Sequence, residues 1–87
     1  MPYAVSIVPS ALRDLGRLPR DAARRIRDLI DTLASSPRPH GTKPLRGTDN
    51  VWRARVGDYR VVYRIDDRAV TVLVVRIGHR RDVYRGI

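Results

Sequence analysis

From Val51 to Ile65 (VWRARVGDYRVVYRI) the chain alternates apolar and charged side chains, breaks at Gly57-Asp58, and alternates again. Such a pattern predicts a β-hairpin, and glycine at the first of two central positions suits a type II′ turn. A two-residue loop fixes the register. Val56 then faces Tyr59, Arg55 faces Arg60, Ala54 faces Val61, Arg53 faces Val62 and Trp52 faces Tyr63. Directly opposed residues share a face of the sheet. One face collects Trp52, Ala54, Val56, Tyr59, Val61, Tyr63 and Ile65 and reads as core, while the other gathers Arg53, Arg55, Arg60 and Arg64. Like charges directly opposite destabilise a sheet. Two readings fit: a solvated outer face, or an anion held between Arg55 and Arg60.

The flanking segments supply what this hairpin packs against. Tyr3 to Val8 alternates as a short strand, with Tyr3, Val5 and Ile7 on one face. Pro9-Ser10 ends it, and Ser10 suits the N-cap of a short helix through Leu12 and Leu15 that closes by Gly16 to Leu18. Pro19 sits in the first turn of a second helix, with Asp21 near its positive end. Ala22, Ile26, Leu29, Ile30 and Leu33 form that helix's apolar stripe, and the arginines and aspartates between them its solvated sides. Ser35 to Asn50 is a long irregular connection whose Pro37, Pro39, Pro44, Gly41 and Gly47 exclude helix and central strand. Connections of that length often carry function. Lys43 and Arg46 can reach a phosphate from it, or can simply solvate it. Ala69 to Ile77 is a third, β-branched strand. If Asp67-Arg68 is the preceding turn pair, Val70, Val72 and Val74 join the core face, and Leu73, Val75 and Ile77 lie beside the arginines. Gly78 ends the strand, and a short C-terminal turn or helix follows. The predicted fold is α+β in the order β-α-α-β-β-β, with two helices on one face of a small, mainly antiparallel sheet.

Length and composition narrow the partners. Eighty-seven residues make one domain, 1–87, able to bury only about 60% of its unfolded surface. There is no cysteine, and His40 and His79 lie too far apart for metal-ligand spacing, so no metal or other cofactor is expected. No apolar run approaches a membrane span, and MPYAVSIV lacks the basic then apolar order of a secretory signal; the expected compartment is the cytoplasm. The net charge is +9, and Lys43 is the single lysine among 18 basic residues. A domain this basic suits a phosphate polymer or an acidic protein partner rather than a membrane surface.

The helix pair, KPLRG at Lys43 to Gly47, WRAR with GDYRVVYRI, and the terminal IGHRRDVY resemble the RelE branch of the RelE/ParE toxin superfamily over nearly the whole chain. The most specific likeness is GDYRVVYRI followed by GHRRDVY. The resemblance implies the toxin of a toxin–antitoxin pair: a ribosome-dependent mRNA endonuclease that cuts A-site codons without a metal. In that mechanism the ribose 2′-hydroxyl attacks its own phosphate, leaving a 2′,3′-cyclic phosphate and a 5′-hydroxyl. The implied partners are a cognate antitoxin, the ribosome and mRNA, and operator DNA only through the antitoxin complex.

Residue by residue, the resemblance implies catalytic roles for Arg53, Arg55, Arg60, Arg80 and Tyr84, with Lys43, Arg46, Arg64 and Arg81 as further RNA contacts. Arginines stand here where the family usually has lysines on the second strand, and the segment between Arg80 and Tyr84 is shorter than in the best-known members. Arginine suits bidentate phosphate contact but stays charged and carries protons poorly. Proton removal therefore falls to Tyr84, whose pKa nearby arginines would lower. His79 is the alternative proton carrier, since imidazole titrates near neutrality. From spacing alone, Tyr84 reads as pinning a C-terminal turn to the sheet and His79 as a solvated loop residue; the family resemblance is what makes Tyr84 a catalytic candidate. Two other functions stay open: a ParE-like toxin that binds DNA gyrase without cutting RNA, and a non-catalytic corepressor paired with an antitoxin.

Overall fold

A computed structural model describes residues 2–79. Its centre is the predicted hairpin. Strands Val51–Val56 (β3) and Tyr59–Asp66 (β4) pair antiparallel in the expected register, from Val56 opposite Tyr59 to Trp52 opposite Tyr63. Gly57 has φ +59°, and Asp58 does not share its positive φ, as a type II′ turn requires and a type I′ turn forbids. The remaining elements are β1 (Ala4–Ile7), α1 (Pro9–Gly16), α2 (Arg20–Leu33), β2 (Lys43–Pro44) and β5 (Thr71–His79). The sheet order is β1-β5-β4-β3-β2. β1 runs parallel to β5 and every other pairing is antiparallel, which makes the sheet mixed.

Both helices cover the apolar face of this sheet. Ala11 and Leu15 of α1 and Ala23, Ile26, Ile30 and Leu33 of α2 meet Ala54, Val61, Tyr63, Ile65, Val72, Val74 and Ile77. Ala22 and Leu29, at the margins of the expected stripe, are half-buried. Fully burying one such Ile or Leu contributes roughly 1.5–3 kcal/mol. Tyr63 is sealed among them, burial pushes its hydroxyl pKa above 10.0, and the hydroxyl donates to Pro37 O at 2.8 Å.

Five local expectations change. Ser10 is not the cap of α1: the helix begins one residue earlier, with Pro9 at its first position and Val8 as the extended N-cap. Proline's missing N–H is an orphan there anyway, so nothing is lost. Pro19 likewise caps α2 from outside, its carbonyl accepting the Ala23 N–H at 2.9 Å. Within the long connection, Lys43 and Pro44 form an edge strand opposite Arg53 and Trp52, an edge being where a strand tolerates proline. At the other end of β4, the turn spans four residues, 67–70, closed by Asp66 opposite Thr71. The Asp66 carboxylate accepts the backbone N–H groups of Arg68 and Ala69, each at 3.0 Å, an Asx-type turn. Val70 enters it with φ +56°, so it belongs to the turn and not to the core.

The fifth change concerns β5 itself. Lengthening the turn by two residues preserves side-chain parity, so Val72 and Val74 reach the core as expected. Parity then breaks at a β-bulge. Tyr63 pairs with Val74 but Val62 pairs with Arg76, leaving Val75 as the extra residue. Ile77 is thereby turned into the core, 2% exposed, and does not lie beside the arginines. Arg76 takes its place on that face, and β5 continues through Gly78 to His79. The expected C-terminal turn or helix lies outside the described residues.

Candidate functional site

The sheet face turned away from the helices gathers cations from four consecutive strands. Lys43 of β2 lies opposite Arg53 of β3, Arg55 of β3 opposite Arg60 of β4, and Arg76 of β5 opposite Val62 of β4. Arg64 continues the row on β4, opposite Val51 on one side and Leu73 on the other. Between the cations runs a small apolar cluster of Val51 and Val62, packed by Leu45 and Val75. Low-dielectric neighbours strengthen the field of the charges beside them.

Arg60 is the exceptional member. It is 8% exposed, the one buried charged side chain among the described residues. Its Nε has no hydrogen-bond partner, and one terminal nitrogen reaches only the Tyr59 carbonyl, at a long 3.4 Å. Its partner on β5 is Gly78, which puts no side chain over it. No carboxylate of the described residues lies within 4.0 Å of Arg53, Arg55, Arg60 or Arg64. Leaving a buried donor unsatisfied costs about 1–3 kcal/mol. An oxyanion seated between Arg55 and Arg60 would recover that cost and relieve their repulsion.

Arg53, Arg55, Arg60 and Arg64 thus share one face, and Lys43 joins them through the edge strand. Arg46 stays in an exposed turn after that strand. His79 lies opposite Tyr59 on the helix side of the sheet, its ring meeting the tyrosine ring edge-on with centroids 6.0 Å apart. It is not brought to the arginine face. Arg80, Arg81 and Tyr84 lie outside the described residues. Among the described residues, no cluster of three or more His, Cys, Asp or Glu side chains is placed to hold a metal ion.

Away from that face, a polar network fixes the connection that delivers β2. Arg38 grips the Asp67 carboxylate with both terminal nitrogens, at 3.2 and 2.9 Å, and Tyr3 donates to the same carboxylate at 2.8 Å. Arg38 also donates to Asn50 Oδ1 at 3.2 Å and lies 5.1 Å from the centre of the Trp52 ring. The Trp52 indole N–H donates to the same Asn50 oxygen at 2.9 Å. No spacing in the sequence links Arg38 to Asp67, so this network has no sequence signal. Arg38, and after it Tyr3, hold the Asp67 carboxyl at about 2, and the same hydrogen bond raises the Tyr3 hydroxyl above 10.0.

A depressed folded-state pKa gives stability that is complete above the ordinary value of 3.8 and disappears as pH falls through about 2. Asp67→Asn should therefore lose stability at neutral pH and converge on the parent as pH is lowered through this window. Urea midpoints at a series of pH values measure it. A constant gap at every pH would remove the ionised carboxylate as the cause.

The model for the ParE toxin of type II toxin–antitoxin systems (parDE) matches residues 5–84. The chain is 40% identical to the toxin RelG of Mycobacterium tuberculosis over 86 residues, 98% of this chain and 99% of that one. It is 43% identical to the toxin RelE of the same organism over 86 residues, 97% of this chain and 88% of that one. Among solved structures it is similar to the toxin–antitoxin complex RelBE2 from M. tuberculosis, with TM-score 0.80 and 36% identity over 92% of this chain and 100% of that one. The archaeal RelE–RelB complex from Pyrococcus horikoshii gives TM-score 0.83 and 30% identity over 95% and 100%. With a matched family model, relatives at this identity and a shared helix-covered sheet, the chain belongs to the RelE/ParE toxin superfamily, as a RelE-type toxin.

Proposed function

We propose that this toxin cleaves mRNA in the ribosomal A site by metal-independent 2′-hydroxyl transesterification and thereby stops translation. The observation that carries the reading is Arg60, buried beside Arg55 with an unsatisfied guanidinium N–H and no carboxylate partner among the described residues. In the reaction a bond forms between the ribose O2′ and phosphorus while the bond from phosphorus to O5′ breaks. The 2′-hydroxyl gives up its proton and the departing O5′ gains one. The intermediate phosphorane carries two negative charges, and preorganised cations aimed at its oxygens stabilise it more than the ground state. Arg55 and Arg60 are assigned to the non-bridging oxygens, with Arg53 beside them. Arg80 is assigned to the leaving oxygen and Tyr84 to the 2′ proton, both on the family likeness of GHRRDVY.

The relatives were solved with RelB antitoxins, and an antitoxin with acidic and apolar side chains suits this face. Leu73 is 38% exposed directly opposite Arg64, so one partner segment can cover both. Such a partner silences the toxin in the cytoplasm and brings the pair to operator DNA. A second reading, gyrase binding without RNA cleavage, draws its support from the family model, whose description names ParE toxins.

Mapping mRNA 5′ ends on programmed ribosomes, with and without the protein, tests the proposal. New ends inside A-site codons, each following a 2′,3′-cyclic phosphate, are expected. No new ends, together with inhibited gyrase supercoiling, would replace it with the second reading.

A further inference from the structure

The edge of β3 carries a feature that the phosphate clamp does not use. β2 pairs with only Trp52 and Arg53, whereas β3 continues to Val56. In a hairpin with a two-residue loop, the flanking pair Val56–Tyr59 exchanges both of its backbone hydrogen bonds. Alternation then directs the Arg55 N–H and C=O away from β4, toward the β2 side. The β2 register would place Gly41 opposite Arg55, but β2 ends at Lys43. Among the described residues, no backbone group meets this donor and acceptor.

They open beside a concavity of about 300 Å³ between α2 and β3, at the small end of the ~300–1,000 Å³ usual for small-molecule sites. Its walls are of two kinds. Leu29 and Ala54 make an apolar side; His40, Lys43, Arg53 and Arg55 make a polar and cationic one. Lys43 and Arg53 are directly opposed like charges, the arrangement seen again at Arg55 and Arg60. Arg53 and Arg55 stand two residues apart on one strand, about 6.6–7 Å, a step comparable to that between successive phosphates of an extended polynucleotide. A larger hollow, about 590 Å³, is lined by Asp49, Asp66 and Asp67 with Arg64 and Arg68, and its carboxylates disfavour an anion.

We infer that this concavity is a nucleotide subsite, taking the RNA residue adjacent to the one clamped at Arg55 and Arg60. Lys43 and Arg53 bind its phosphate, the half-buried Leu29 faces its base, and the open Arg55 N–H and C=O read the base edge. Single-stranded RNA is recognised through splayed bases hydrogen-bonded at their edges, beside a positively charged groove that tracks the backbone. An acidic peptide fits less well. Adding a strand to a sheet needs several successive open backbone pairs, and only Arg55 is open between the Arg53–Lys43 pair and the turn. The inference deepens the proposed function and rests on it for the identity of the strand.

Titration of the isotope-labelled full-length protein tests it without ribosomes. Adenosine 5′-monophosphate should shift the Arg55 and Lys43 amides and the Leu29 methyl groups together, and Lys43→Ala should weaken it by roughly tenfold. Inorganic phosphate should leave the Leu29 methyl groups unmoved. Absence of the Leu29 and Arg55 shifts, equal Leu29 shifts with inorganic phosphate, or a tetra-aspartate peptide outcompeting the nucleotide would each overturn the subsite. Because cleavage is not read here, nucleotide binding without A-site cleavage would end the proposed function, and cleavage without nucleotide binding would end only the subsite.

Discussion

Arg60→Met is expected to slow mRNA cleavage by roughly 10²–10³ while the protein keeps its fold. The guanidinium is buried, unpaired at Nε, and faces Arg55 across the hairpin. On the proposed mechanism, its energetic cost in the free toxin is regained when the scissile phosphate sits between the two arginines. Methionine retains the unbranched stem and fills the same space without a charge or an unsatisfied donor. Stability should therefore be unchanged or higher by about 1 kcal/mol, because removing both a buried donor and a like-charge contact is favourable. Alanine would confound the two effects by leaving a cavity. Single-turnover cleavage on programmed ribosomes and denaturant midpoints on the same preparations separate them. A variant that cleaves at the parent rate, or one that is unfolded, would remove Arg60 from the clamp.

The loss of activity with retained fold would also fit the way the sequence encodes this face. The hairpin was legible because Gly57 and Asp58 leave two loop residues, and two loop residues permit one register. That turn is what puts Arg53, Arg55 and Arg60 on one face. The third strand was legible only as far as Val74. The run AVTVLVVRI is apolar at nearly every position, so no alternation marks where the bulge at Val75 inverts the faces. Unbroken alternation therefore hides Arg76 from the basic face and places Ile77 on it, whereas the bulge exchanges the two. Lys43 shows the opposite case. Prolines around it hid a strand, since a two-residue edge strand needs no propensity of its own when Arg53 and Trp52 offer it backbone partners. The Arg38–Asp67 contact joins residues 29 positions apart through tertiary structure alone. It nevertheless helps to fix the connection from which β2 and the subsite walls are built.

Tyr84→Phe is expected to slow cleavage by about 10²–10⁴, the usual contribution of a general base, while His79→Gln costs little. Tyr84 follows from the family likeness and His79 from the ordinary chemistry of imidazole, and the geometry of His79 now separates them. His79 shares the face of Tyr59, edge-on to its ring and on the helix side of the sheet. The proposed phosphate clamp uses the opposite face, where Gly78 is the β5 partner of Arg60. A side chain on the helix side cannot meet a 2′-hydroxyl held at the arginines without breaking the β4–β5 pairing at Tyr59. A tyrosine base leaves the pH–rate profile without a break near 6.5, where an unperturbed imidazole titrates. A histidine acid instead produces a descending alkaline limb that vanishes in His79→Gln. Phenylalanine preserves the ring and its packing, so a slow Tyr84→Phe variant with a normal denaturation midpoint isolates the hydroxyl. Full activity in that variant would take the base away from Tyr84, and a large loss in His79→Gln would give the proton transfer to the histidine.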